Sequence, residues 1–194
     1  AITEIGQYQQ AAEIYKANLG GHSDASILAS WRNLGTKLRQ NGDKQAAYQI
    51  WQSILQTIPT DNATLLVMAH ANQQDQLWQQ GLDNYAQILK TEPNNQVAKL
   101  GRAKIFIAQQ DYRQAETELN LILAQSPFDT DLQSIKAEVL LANNKDAEAI
   151  ELLKAIVNAH PVPKQLNRLA TVLADAGRND ESVVYFQKSL QQNP

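Results

Sequence analysis

WRNLGTKLRQNGDKQAAYQIW, residues 31–51, begins and ends on tryptophan and holds the small residues Gly35 and Ala47 between them. Apolar residues recur here at three- and four-residue steps, as in Ala47, Trp51, Ile54 and Leu55, which places them on one face of a helix. Asn41-Gly42 supplies a left-handed stop for a first helix, and Asp43 can cap a second. The stretch therefore reads as two antiparallel helices joined by a tight turn. Trp31 belongs to one and Trp51 to the other, with Gly35 and Ala47 marking where the helices touch.

The pattern extends along the chain. Five of the six prolines fall at Pro59, Pro93, Pro127, Pro161 and Pro194, at intervals of 34, 34, 34 and 33 residues. A fixed period of this length is the mark of stacked supersecondary units. Twelve residues before each proline stand Ala47, Gly81, Ala115, Ala149 and Ser182, all small. Eight before stand Trp51, Tyr85, Leu119, Leu153 and Phe186, all bulky. Twenty-four before stand Gly35, Ala69, Ala103, Ala137 and Ala170, small again. Gln110-Asp111 followed by Gln114 repeats the capping pattern one unit further on. The expected fold is all-α. It has a half repeat at 1–22, carried by Gly6–Leu19, and helix pairs at 28–61, 62–95, 96–129, 130–162 and 163–194 in one array. Gly20-Gly21 breaks the half-repeat helix, and Ser23 or Asp24 can cap the next.

Composition narrows the function classes. Hydrophobic residues make up 43% of 194, so a core can be buried. A net charge of −3 gives no support to a nucleic-acid or anionic-membrane surface. No apolar run approaches the roughly 18 to 20 residues that span a bilayer, and no cysteine is present for disulfides or thiolate metal sites.

The spacing of Trp31, Leu34, Gly35, Leu38, Gly42, Ala47 and Pro59 resembles that of tetratricopeptide repeats. Tyr112, Ala115 and Pro127 continue the resemblance, as do Leu166, Leu169, Ala170, Gly177 and Phe186. The repeat at 62–95 departs most: Asn72 replaces a usual apolar residue and Gln76 a usual glycine, so irregularity of its turn is expected. The resemblance implies a right-handed α–α superhelix whose concave face holds a peptide or protein partner. It also implies groove-facing positions on the first helices: Arg32, Thr36, Arg39, Leu66, His70, Gln73, Leu100, Lys104, Ile107, Ser134, Glu138, Leu141, Asn167 and Thr171. Two readings of Arg32, Arg39 and Lys104 stand side by side. They are solvated charges, or a basic stretch beside Leu66, Leu100 and Ile107 that suits an acidic peptide with an apolar anchor. Arg39→Ala is expected to leave melting nearly unchanged and to weaken partner capture. Glu138 and Asp175 make the far end more acidic.

Chemistry-bearing motifs are scarce. His22, His70 and His160 are far apart and lack metal-ligand spacing. Asp129 and Asp131 evoke a calcium loop, but Ser134 stands where glycine is needed and Leu140 where glutamate is needed, so helix capping by Asp129 or Thr130 is the better account. Neither a phosphate loop nor a nucleophile motif is present, and the reading is of a non-enzyme without cofactor or metal. The family's chaperone-tail clamp and asparagine ladder are not matched at the corresponding positions.

Three functions are consistent with these residues. One is an interaction scaffold of the kind bacterial envelope systems use in polysaccharide export, pilus assembly or cytochrome maturation, with a cytoplasmic scaffold as the alternative compartment. Another is the docking segment of a larger enzyme or transporter, which the start partway through a unit and the end on a proline favour. The third is self-assembly through array ends, because the last helix face, including Val183 and Tyr185, lacks a polar cap and calls for a following helix or a neighbouring molecule.

Overall fold

The computed structural model describes residues 25–192, so the half repeat at 6–19, the caps Ser23 and Asp24, His22 and Pro194 lie outside the described residues. Every regular element among the described residues is an α-helix: α1 (Ala25–Gln40), α2 (Lys44–Thr57), α3 (Asn62–Gln74), α4 (Trp78–Thr91), α5 (Gln96–Ala108), α6 (Tyr112–Leu123), α7 (Thr130–Ala142), α8 (Asp146–Ala159), α9 (Pro163–Asp175) and α10 (Asn179–Gln192). None of them is long and apolar enough to cross a membrane.

The turns inside the repeats explain the regularity. Gly42, Gln76, Gln110, Asn144 and Gly177 all adopt positive φ, between 58° and 94°, at the same phase of the repeat. Behind each, the next residue's N–H reaches back five residues to a helix carbonyl, from Asp43 to Leu38, Leu77 to Asn72, Asp111 to Phe106, Lys145 to Leu140 and Arg178 to Leu173, at 2.8–2.9 Å. That is the Schellman closure of a helix. The turn at Gln76 is accordingly regular, contrary to the expected irregularity. Glutamine simply takes the left-handed conformation that glycine takes at Gly42, at an energetic cost.

Entry to the helices follows the sequence. Asp43, Asp61, Asp111 and Asp129 cap α2, α3, α6 and α7 through their carboxylates, which satisfies otherwise orphaned N–H groups. Asn95 does the same for Ala98 at 2.9 Å. At Asp111 the Gln114 amide donates to the capping carboxylate, 2.8 Å, so the reciprocal bond of the box closes on the side chain. Val162 offers no side-chain cap, and Pro163 opens α9 instead.

Two compact units divide the chain, residues 1–101 and 102–194. In the first, Trp31, Leu34 and Leu38 of α1 meet Ile50, Trp51 and Ile54 of α2, with Met68 and Ala71 of α3 behind them. Both tryptophans are buried. A methyl group on Gly35 would overlap the Trp51 indole, and one on Gly101 would overlap the Tyr85 ring. Small residues thus admit large rings, with Gly35 facing Trp51. The Trp51 Nε1–H also donates to the Arg32 carbonyl, 3.2 Å, across the helix pair.

In the second unit Ile150, Leu153, Ile156 and Val157 of α8 pack with Ala137 of α7 and with Leu166, Leu169 and Leu173 of α9. The small column Ala47, Gly81, Ala115, Ala149 and Ser182 is buried throughout. The bulky column is buried from Trp51 to Leu153, but Phe186 is 38% exposed. Val183 and Leu190 are exposed beside it, while Tyr185 is half-buried.

Candidate functional site

Arg32, Thr36 and Arg39 share one face of α1 because they are spaced by four and three residues. That face looks onto α3. An open cleft of about 480 Å³ lies there, lined by Thr36, Arg39 and Gln40, by Lys44 at the start of α2, and by Val67, His70 and Gln74 of α3. Of the positions expected in a groove, Thr36, Arg39 and His70 are therefore brought together. Leu66 and Gln73 are half-buried on the same helix, Gln73 accepting from the Tyr85 hydroxyl at 3.3 Å. Leu100 is half-buried on α5. His70 is exposed and meets the Tyr85 ring edge-on, 6.1 Å between centroids.

The two arginines are not free charges. Arg32 donates from Nη2 to Asp61, 3.0 Å, and from Nε to Thr64, 3.1 Å. Arg39 forms a two-pronged pair with Asp75, at 2.6 and 3.1 Å, and also donates to the Ala71 carbonyl and the Gln74 amide oxygen. Asp61 and Asp75 flank the two ends of α3. The early arginine of α1 holds the start of α3 and the late one holds its end, so the two helices run parallel, stapled at both ends.

Asp75 would be badly placed alone, since an anion at a helix C-terminus meets the negative end of the dipole. Hydrogen bonds from Arg39, and then from Lys44 at 2.6 Å, outweigh its partial burial and hold its carboxyl down at about 2. The Arg39 guanidinium is raised in turn, chiefly by its bond to Asp75. Beside them the Tyr48 hydroxyl donates to Asn72 Oδ1, 2.7 Å, and is pushed up to about 12, mainly by desolvation and then by the Asp75 charge. This corrects the expectation for Arg39. Its side chain is only 14% exposed and that of Asp75 11%, so the pair joins α1 to α3 and removing it will cost stability.

Asp61, Asp75, Tyr48 and Asn72 were missed as site residues, although one signal was available. Asn72 is the single polar member of the buried column Leu38, Asn72, Phe106, Leu140 and Leu173, and it is 1% exposed. A polar residue at a core position demands a partner, and Tyr48 is that partner.

The expected groove residues of the second unit have a different character. Lys104 is exposed and Ile107 half-buried. Glu138 pairs with Arg168 at 2.9 Å, and the same guanidinium donates to the Ser134 carbonyl at 3.1 Å. Leu141 is half-buried, and Asn167 and Thr171 are exposed along α9. What is left open for a ligand in the first unit is a cleft of hydroxyl, amide and imidazole groups over an apolar floor, with its strongest charges already paired.

A tetratricopeptide repeat family model matches residues 73–139, across the turns at Gln76 and Gln110. Over these residues the chain carries tetratricopeptide repeats. Among curated relatives, cellulose synthase operon protein C of Pseudomonas fluorescens (strain SBW25) is 27% identical over 132 residues, which is 66% of this chain and 10% of that protein. The chain thus spans about a tenth of that relative's length. Among solved structures, MamA from Desulfovibrio magneticus RS-1 superposes with a TM-score of 0.71 at 17% identity, covering 84% of this chain and 93% of that one. A further crystal structure of MamA gives 0.69 at 19% identity over 81% of this chain and 92% of the other. At such identities the likeness is one of fold. Tetratricopeptide repeats serve generally as protein-interaction scaffolds, and these matches indicate no enzyme family.

Proposed function

We propose that this tetratricopeptide repeat chain is a scaffold segment of a longer bacterial protein, which captures a peptide or protein partner of an exopolysaccharide-producing assembly on the exposed faces of its first helices. The α1–α3 cleft carries this reading, because it sets Gln40, His70 and Gln74 open to solvent around half-buried Thr36 and Val67. Mixed polar and apolar groups of this kind suit a peptide main chain with one small apolar anchor. The similarity to cellulose synthase operon protein C supports a setting in polysaccharide production. The arginines of α1 shape the cleft by fixing α3, so a partner is recognised chiefly by hydrogen bonding and shape.

Site-specific photocrosslinking in cells tests the proposal. A crosslinking residue at His70 or Gln74 is expected to trap a protein encoded with the polysaccharide synthase. The same residue at exposed Gln52, on the second helix of the repeat at 28–61, is expected to trap none. Equal trapping from Gln52, or no adduct from the cleft positions, would refute the assignment.

A further inference from the structure

Phe128 is 88% exposed, more than any other large hydrophobic residue among the described residues. It stands in the turn between α6 and α7, just after Pro127. The equivalent positions in neighbouring repeats are Thr60, Asn94 and Val162, all exposed, so the fold has no need of an aromatic ring there. The backbone that carries the ring is held in place. The Asp129 N–H bonds the Ser126 carbonyl at 3.2 Å, and the Gln133 amide clamps the Pro127 carbonyl at 2.7 Å. Asp129 itself is held as the cap of α7 by bonds of 3.0 Å from the Asp131 and Leu132 N–H groups. An exposed aromatic on a fixed turn suits the role of an interface anchor.

A matching socket lies on the same unit. A cleft of about 260 Å³ has Val157, Pro161 and Leu166 on one side and Tyr185, Lys188 and Gln192 of α10 on the other. Val157 and Leu166 are buried core residues, so the floor is apolar. The volume falls below that of a pocket for a drug-sized ligand, which begins at about 300 Å³, and suits one inserted side chain. The Lys188 ammonium rests over the Tyr185 ring, 5.2 Å from its centroid, and places a positive charge at the mouth. Phe128 is flanked by exposed Asp129 and Asp131. Knob and socket are complementary in size, polarity and charge.

They are also placed so that two copies can satisfy each other. Successive helices alternate in direction, so the turns after α6 and α8 fall on one edge of this unit. The end of α10 returns to that edge, where the Ser189 hydroxyl donates to the Pro163 carbonyl at 3.3 Å. Phe128 and the Pro161 side of the cleft are therefore about one helix-packing distance apart, roughly 10 Å. We propose that this edge pairs with a second copy of the chain about a two-fold axis, Phe128 of each copy entering the Val157–Tyr185 cleft of the other and its aspartates facing Lys188. Such an interface is closed and self-complementary. It is also small, which makes the dimer weak, and it uses no residue of the α1–α3 cleft.

Sedimentation over a dilution series reaching about 1 mM protein tests the pairing. A monomer–dimer equilibrium is expected within that range. Phe128→Ala should abolish it with circular dichroism and melting unchanged, because the ring supports nothing inside its own chain. Lys188→Glu should weaken dimerisation about tenfold or more, and adding Asp131→Lys should restore part of the loss. A mass that stays that of one chain, a dimer that survives Phe128→Ala, or one indifferent to Lys188→Glu would each overturn the proposal.

Discussion

Replacing Arg39 by alanine deletes a guanidinium that makes four hydrogen bonds to α3: two to Asp75, one to the Ala71 carbonyl and one to Gln74. Hydrogen bonds to charged groups contribute about 1.5 to 3 kcal/mol each when buried, and stripping one partner from a fully buried ion pair costs about 3 to 5 kcal/mol. Here both side chains keep some solvent contact, 14% and 11%, and Lys44 remains at 2.6 Å from Asp75 to offset part of its charge. The expected loss is therefore about 1.5 to 3 kcal/mol. For a chain of this length that lowers Tm by about 4 to 10 °C. Thermal melts of wild type, Arg39→Ala, Asp75→Ala and the double variant form a cycle, in which the double variant should lose clearly less than the sum of the singles. Acid titration adds a second reading. The folded carboxyl of Asp75, at about 2, lies below its ordinary value of 3.8, so its stabilisation is complete above that ordinary value and fades as pH falls towards 2. The gap in Tm between wild type and Arg39→Ala should hold steady from pH 7 to 5 and narrow below pH 4. A shift under about 1 °C at pH 7, as expected of a solvated surface charge, would refute the staple.

Two further outcomes follow from the turns and the core. Trp51→Ala removes a buried indole that fills the space beside Gly35 and bonds the Arg32 carbonyl, and should cost about 3 to 5 kcal/mol in denaturant unfolding. Gln76→Gly relieves a left-handed backbone held at φ 59° by a residue with a Cβ, and should stabilise by about 0.5 to 1 kcal/mol in the same assay. A Gln76→Gly variant less stable than wild type would show that the glutamine side chain contributes something the turn geometry does not reveal.

The helix hairpins were legible because their determinants are local. Gly42, Asp43, Asp111 and Asp129 each act within four residues of themselves, and the proline phase marks every unit independently. The turn at Gln76 was misjudged for an instructive reason. Glycine at this phase is a convenience, and the five-residue backbone closure with its apolar helices outweighs the cost of a glutamine in the left-handed region. The resemblance named Thr36, Arg39 and His70 as groove positions, and all three line the α1–α3 cleft.

What spacing could not show was what stands opposite a residue. Arg39 and Asp75 are 36 residues apart, and periodicity within α1 contains no information about the cap of α3. The bridge is a property of one junction alone. The positions equivalent to Arg39 in later repeats are Gln73, Ile107, Leu141 and Ala174, and those equivalent to Asp75 are Asn41, Gln109, Asn143 and Ala176. None of these recreates the pair. Other junctions carry ion pairs of their own, Lys145 with Glu116 and Arg168 with Glu138, but this one adds to its two arginines the polar group of Asn72, Tyr48 and Asp75, which is satisfied when α1 lies against α3 in this register. A repeat array risks stacking its units out of order, since their surfaces resemble one another. A charged junction that has no equivalent elsewhere in the sequence penalises every other pairing with an unmatched buried charge, so the residues that first suggested a site for an acidic ligand are better understood as fixing which repeat follows which.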